Sequence, residues 1–96
     1  MKVEELYVAF DKNDDEYGKF DCIQKKFTKR PDLHAFLLLE TLLPGNISDI
    51  ISAAEHDEIW LSVDLQELAA VAREEHIIDL IRCGVTLSHE SLKMNA

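Results

Sequence analysis

The sequence predicts a single α+β domain over residues 1–96: a central Leu-rich helix packed on a small antiparallel sheet, with two short helices after residue 64. Three observations carry this. Residues 33–43 are apolar around most of a helical circumference. Short strand-like runs recur at 50–55, 58–63, 85–87 and 92–94, separated by polar turns. After Asp64 the apolar residues return to helical spacing. With 96 residues, 47% of them hydrophobic and 30% charged, the chain has the composition of a globular protein and length for one core.

Val3, Leu6, Tyr7 and Phe10 stand at i, i+3, i+4 and i+7, which predicts an amphipathic helix over 3–10. Glu4 and Glu5 fall in its first turn, where the helix dipole favours acids. Asp11 to Gly18 then reads as a polar loop. Lys19 to Ile23 is expected as a short strand, with Phe20, Cys22 and Phe27 turned inward. Pro31 and Asp32 open the Leu-rich helix, because Pro suits the first helical position and Asp the positive end. That helix is expected to run to about Leu43 and stop at Pro44-Gly45, leaving only His34, Glu40 and Thr41 polar.

Residues 47–63 admit two readings. Ile47, Ile50, Ile51 and Ala54 fit a helix over 48–55 followed by one strand, whereas the β-branched ends and the polar Glu55–Glu58 turn fit a hairpin of 50–55 and 58–63. The hairpin is preferred. Asp64 with Glu67 resembles a capping box ahead of the stripe Leu65, Leu68, Ala69 and Ala72. Continued as one straight helix, Ile77, Ile78, Leu80 and Ile81 would centre roughly 140° from that stripe. A break at Arg73-Glu74-Glu75 resolves the conflict, and Gly84 is placed to cap the second helix. Two strands, Val85–Leu87 and Leu92–Met94, complete the chain.

The net charge is −9, from 19 acids and 10 bases, with four of the bases in Lys25–Arg30. So negative a domain is expected to contact neither nucleic acid nor an anionic membrane directly. The basic island could touch a phosphate or an acidic partner; as a solvated loop it simply offsets its neighbours. The longest apolar run, Phe36–Leu39, is far short of the ~20 residues of a bilayer span, and no signal peptide is expected. Cys22 and Cys83 read as reduced thiols of a cytoplasmic protein, with a Cys22–Cys83 bridge as the alternative. Three scattered glycines exclude a Gly-rich phosphate loop, and there is no G-x-S-x-G.

Four groupings carry chemistry worth weighing. Asp11-x-Asn13-x-Asp15 begins like a calcium loop, but the sixth position is Glu16 and the twelfth Cys22, so an acidic turn is preferred. His76, Asp79 and Cys83 share one side of the last helix and are zinc-ligand types, without ligand spacing; no metal and no cofactor is the preferred expectation. His56, Asp57 and Glu58 form the densest acid–base cluster and are the alternative catalytic set, against a plain polar turn. Trp60, with Glu55 and Glu58 nearby, is the expected partner-binding surface, since Trp is enriched at binding hot spots. The competing fate of Trp60 is burial.

The run Ile50-Ile-Ser-Ala-Ala-Glu-His-Asp-Glu-Ile-Trp-Leu-Ser-Val-Asp64, followed by Leu65-x-x-Leu68 and Arg82-Cys-Gly-Val85, resembles small uncharacterised proteins of bacteria and their phages. The resemblance implies a prokaryotic cytosolic setting, such as a mobile element, and transfers no catalytic residue. Two function classes remain. The preferred one is a non-enzymatic acidic interaction protein that binds a basic partner, such as a regulator or inhibitor of a nucleic-acid-handling protein. The other is a small enzyme or metal-dependent module centred on His56, Asp57 and Glu58. Exposed sheet edges leave a homodimer open.

Overall fold

The structure, a computed structural model, describes residues 1–23, 26, 28–44, 51–55, 58–61, 63–88 and 91–95. It is of the α+β class. Helix α1 (Val3–Lys12) buries Leu6, Ala9 and Phe10, and the Glu5 carboxylate accepts from the Lys2 backbone N–H at 2.8 Å to close its first turn. The segment after it is not a plain loop. It forms two 3-10 turns, Asp14–Glu16 and Phe20–Cys22. The strand expected at 19–23 is therefore replaced by a turn that exposes Cys22, buries Ile23 and packs Phe20, partly buried, against the core. Phe27, expected to face inward, lies outside the described residues.

Helix α2 (Pro31–Leu42) begins at its proline as expected, and Leu43 caps it. It is more one-sided than its sequence implies. Ala35, Leu38, Leu39 and Leu43 are buried, while Leu33 and Leu37 remain 41% and 46% exposed. His34, expected among the polar exceptions, sits on the buried side with 1% of its surface exposed.

The sheet has the order β1-β2-β4-β3 and is antiparallel throughout. Strands β1 (Ile51–Glu55) and β2 (Glu58–Leu61) form the preferred hairpin, with a register irregularity between Ile51 and Ala53. The competing helix over 48–55 is overturned at 51–55, which is strand, and its first residues, 48–50, lie outside the described residues. Strands β3 (Val85–Ser88) and β4 (Ser91–Asn95) form the second hairpin, and β2 pairs with β4 to join the two. Side chains alternate across the pleat, so Leu61, Leu92, Met94 and Val85 are buried on one face. Trp60, Lys93 and Thr86 are in register with one another on the other.

Helices α3 (Leu65–Val71) and α4 (Glu74–Arg82) fill the connection between the hairpins. The Asp64 carboxylate caps α3, accepting from the N–H groups of Gln66 at 2.9 Å and Glu67 at 3.3 Å. The break expected from the mismatched stripes falls at Ala72-Arg73, and both sets are buried: Leu65, Leu68 and Ala69 in α3, Ile77, Leu80 and Ile81 in α4. Gly84, at φ +95°, takes the left-handed conformation that ends α4.

One expectation about arrangement changes. The Leu-rich α2 packs mainly on α4, and it is α4 that touches α1, α2, β3 and both 3-10 turns. The central place goes to α4 because its Ile77–Leu80–Ile81 stripe, unlike the runs of α2, is backed by helices on one side and the sheet on the other.

Candidate functional site

Tyr7, Phe10, Asp11 and Asp14 stand at i, i+3, i+4 and i+7, which places them along one side of α1 and the turn that follows it. Phe10 is buried, whereas Tyr7 is over a third exposed and the two aspartates are exposed. This stripe forms one wall of a cleft of about 310 Å³. Tyr17, on the link between the two 3-10 turns, forms another part of the rim, and Ile81 of α4 lines the apolar interior. Strand β3, an edge strand of the sheet, closes the remaining side through Val85, Thr86 and Leu87.

Arg82 fixes the Tyr17 segment. Its Nε donates to Glu16 at 3.4 Å, its Nη2 to the same carboxylate at 3.5 Å and its Nη1 to the Cys22 carbonyl at 3.3 Å. Nη1 also lies 3.8 Å from Asp79. The Gly18 N–H donates to the Ile81 carbonyl at 3.3 Å, one residue after Tyr17. Both 3-10 turns are thus tied to the C-terminal end of α4, and Tyr17 is held between two of the ties. Gly18 at φ +77° makes the turn that lets the chain double back.

A second polar grouping lies at the α2–α4 interface. The His34 ring meets Phe20 edge-on, with centroids 5.8 Å apart. Burial holds the His34 imidazole below its ordinary value, opposed by Asp79 and reinforced by Lys26. Burial in turn pushes Asp79 above the usual carboxylate range, against the pull of Arg82, His34 and His76. Nothing in the local sequence pattern marks His34 as an inward residue.

The sites expected from sequence are placed as follows. His76, Asp79 and Cys83 all lie on or just past α4, but each has another task. His76 Nδ1 accepts the Arg73 backbone N–H at 3.0 Å and so closes the first turn of α4. Asp79 faces Arg82. Cys83 is buried, and its thiol is pushed up to about 12 by burial and by Asp79. A cysteine ligates zinc as its thiolate. Among the described residues, no three His, Cys, Asp or Glu groups come together as a metal set.

Of the calcium-like segment, Asn13 is engaged through its side-chain amide. Asn13 Nδ2 donates to the Ala9 carbonyl at 2.9 Å and to Glu74 at 3.3 Å, tying the end of α1 to α4. Both cysteines are free, Cys22 exposed and Cys83 buried. Of the alternative catalytic set, His56 and Asp57 lie outside the described residues, and Glu58 is in register with Glu55 at the turn end of the first hairpin. Trp60 is half-buried on the outer sheet face with the Lys93 ammonium 5.5 Å from its ring centroid. Its face already holds a cation of its own chain. No helix among the described residues is long and apolar enough to cross a membrane.

The chain matches no protein-family model, no curated protein and no solved structure.

Proposed function

We propose that this chain is a non-enzymatic, cytoplasmic interaction module whose acidic surface binds a protein with a basic face, of the kind that handles nucleic acid. One observation supports the reading above the bare charge count. Among the described residues, Lys12, Lys19, Lys26, Arg82 and Lys93 are engaged with groups of the chain itself, while Glu4, Asp11, Asp14 and Asp15 on the α1 side meet no cation. Lys12 pairs with Glu74 at 3.0 Å, and Lys19 and Arg82 converge on Glu16. Lys26 donates to the Ile23 carbonyl at 2.9 Å, and Lys93 lies over Trp60. Carboxylates left in solvent on one side of so acidic a domain steer a basic partner toward that side and repel DNA.

The test is a titration of the isotope-labelled protein with a peptide of mixed lysine and arginine, alongside a neutral peptide of equal length and duplex DNA. The expected result is binding of the basic peptide alone, with shifts concentrated on residues 4–17 and affinity falling as salt is raised. No binding of the basic peptide at low salt, or binding of the DNA, overturns the reading.

A further inference from the structure

We propose that the cleft between α1, the Tyr17 turn and β3 is a receptor for a single arginine side chain of that basic partner. The inference rests on the proposed acidic-module reading and gives its surface a specific point of entry.

The chemistry is carried by the lining. Two tyrosines and two carboxylates, Tyr7, Tyr17, Asp11 and Asp14, share a cleft whose interior is Phe10 and Ile81. A tyrosine face attracts a cation through its ring quadrupole. A carboxylate at the same rim offers charge-assisted hydrogen bonds, and the apolar interior suits a methylene stem. The three features together match a long cationic side chain. Each alone would match something else: a carboxylate pair a hard metal ion, an apolar cleft an aliphatic group.

Arginine fits better than lysine. Its guanidinium is planar, stacks on aromatic faces, is more weakly hydrated than an ammonium and bonds a carboxylate with two parallel N–H groups. The cleft's position favours a peptide as the carrier. It opens along β3, an edge strand, and so lies beside backbone that an incoming extended segment can follow. Its walls are also prearranged. The Arg82–Glu16 contacts and the Gly18–Ile81 hydrogen bond hold the Tyr17 turn before any ligand arrives, which lowers the ordering cost of binding.

The competing explanation is that basic peptides settle diffusely on the acidic surface and use no cleft. A matched pair of short blocked peptides separates the two: one carries a single arginine between glycines, the other citrulline, which keeps the shape and loses the charge. Each is titrated to millimolar concentration while the amide and aromatic-ring signals of the labelled protein are followed. The expected result is that the arginine peptide shifts the rings of Tyr7 and Tyr17 and the amides of 85–87, and the citrulline peptide does not.

The doubly substituted protein Asp11→Asn with Asp14→Asn should bind the arginine peptide about tenfold more weakly. Tyr17→Leu should weaken it as well, while Tyr17→Phe, which keeps the ring, should not. These positions are exposed, and an unchanged far-ultraviolet spectrum confirms that the variants are folded. Equal shifts from the citrulline peptide overturn the proposal. So do arginine-peptide shifts spread over Glu4 and Asp15 with no ring response, although that result leaves the acidic-module reading standing. Silence toward both the arginine peptide and the mixed basic peptide sinks the two together.

Discussion

Cys83 and Cys22 differ in the exposure that lets a thiol meet a reagent. Cys83 is 4% exposed and its thiol is raised to about 12, so at neutral pH it is a packed, protonated group. Cys22 is exposed on the second 3-10 turn. A maleimide added to the native protein should therefore modify one thiol quickly, and Cys22→Ser should remove that phase. Two equally fast thiols would contradict the packing at the end of α4. His34 gives a second test at the same scale. Its folded pKa lies below the ordinary value of 6.5, so the unfolded chain takes up the proton first as pH falls. The neutral side chain's contribution is present above 6.5 and is lost as pH drops through that value toward the folded one. Asp79 acts in the opposite sense. Its raised pKa favours the fold below 3.8, and that gain is lost as pH rises through the folded value. Lys26, Arg82, His76 and Glu75 set the field around the pair. Thermal melts from about pH 7 to about pH 5 should thus show a decline that His34→Gln flattens. An unchanged slope in the variant would assign the decline to other groups.

Among the elements, the legible ones are those whose cause is local. α1 follows from four apolar residues at helical spacing, and the α3–α4 break follows from two stripes that one straight helix cannot bury together. Both hairpins follow from alternation bounded by polar turns. Residues 19–23 have no period, and there the backbone is decided by Arg82 reaching across from α4 to Glu16 and the Cys22 carbonyl. In α2 the difficulty is excess rather than absence. Leucines on nearly every side hide which side is inward, and tertiary packing selects the Ala35–Leu39 face together with His34. Element ends allow a direct check of local energetics. Asp64→Ala removes the acceptor for two N–H groups of α3 and should cost about 1 kcal/mol in urea denaturation. Gly84→Ala should cost about as much for a different reason. Among the described residues a Cβ there meets only the Tyr17 hydroxyl, at 3.9 Å, so the penalty comes from φ +95° and not from crowding. A loss at Asp64 with none at Gly84 would mean that the α4 terminus relaxes to another turn.

For the whole molecule, the cleft shows why the candidate site was hidden from a linear reading. Its walls come from residues 7–14, Tyr17, Ile81 and 85–87, brought together because α4 holds α1, the first 3-10 turn and β3 at once. The part visible in the sequence, Tyr7 through Asp14 at helical spacing, reads as the end of a helix and an acidic turn because its other wall lies some seventy residues away. The charge that feeds this site also acts on the fold. A net −9 spread over 96 residues repels itself more strongly in the compact state than in the extended chain. Unpaired acids on the α1 side carry part of that repulsion, since Glu4, Asp11, Asp14 and Asp15 meet no cation among the described residues. Added sodium chloride should then raise the melting temperature until the Debye length falls below the spacing of these groups, about 10 Å at 0.1 M. The Asp11→Asn, Asp14→Asn protein should start from a higher melting temperature and gain less from salt. The opposite trend, a fold that salt weakens, would mean that the internal pairs Lys12–Glu74 and Arg82–Glu16 outweigh the repulsion. In that case the acidic side would be balanced from within, with no electrostatic deficit left for a basic partner to fill.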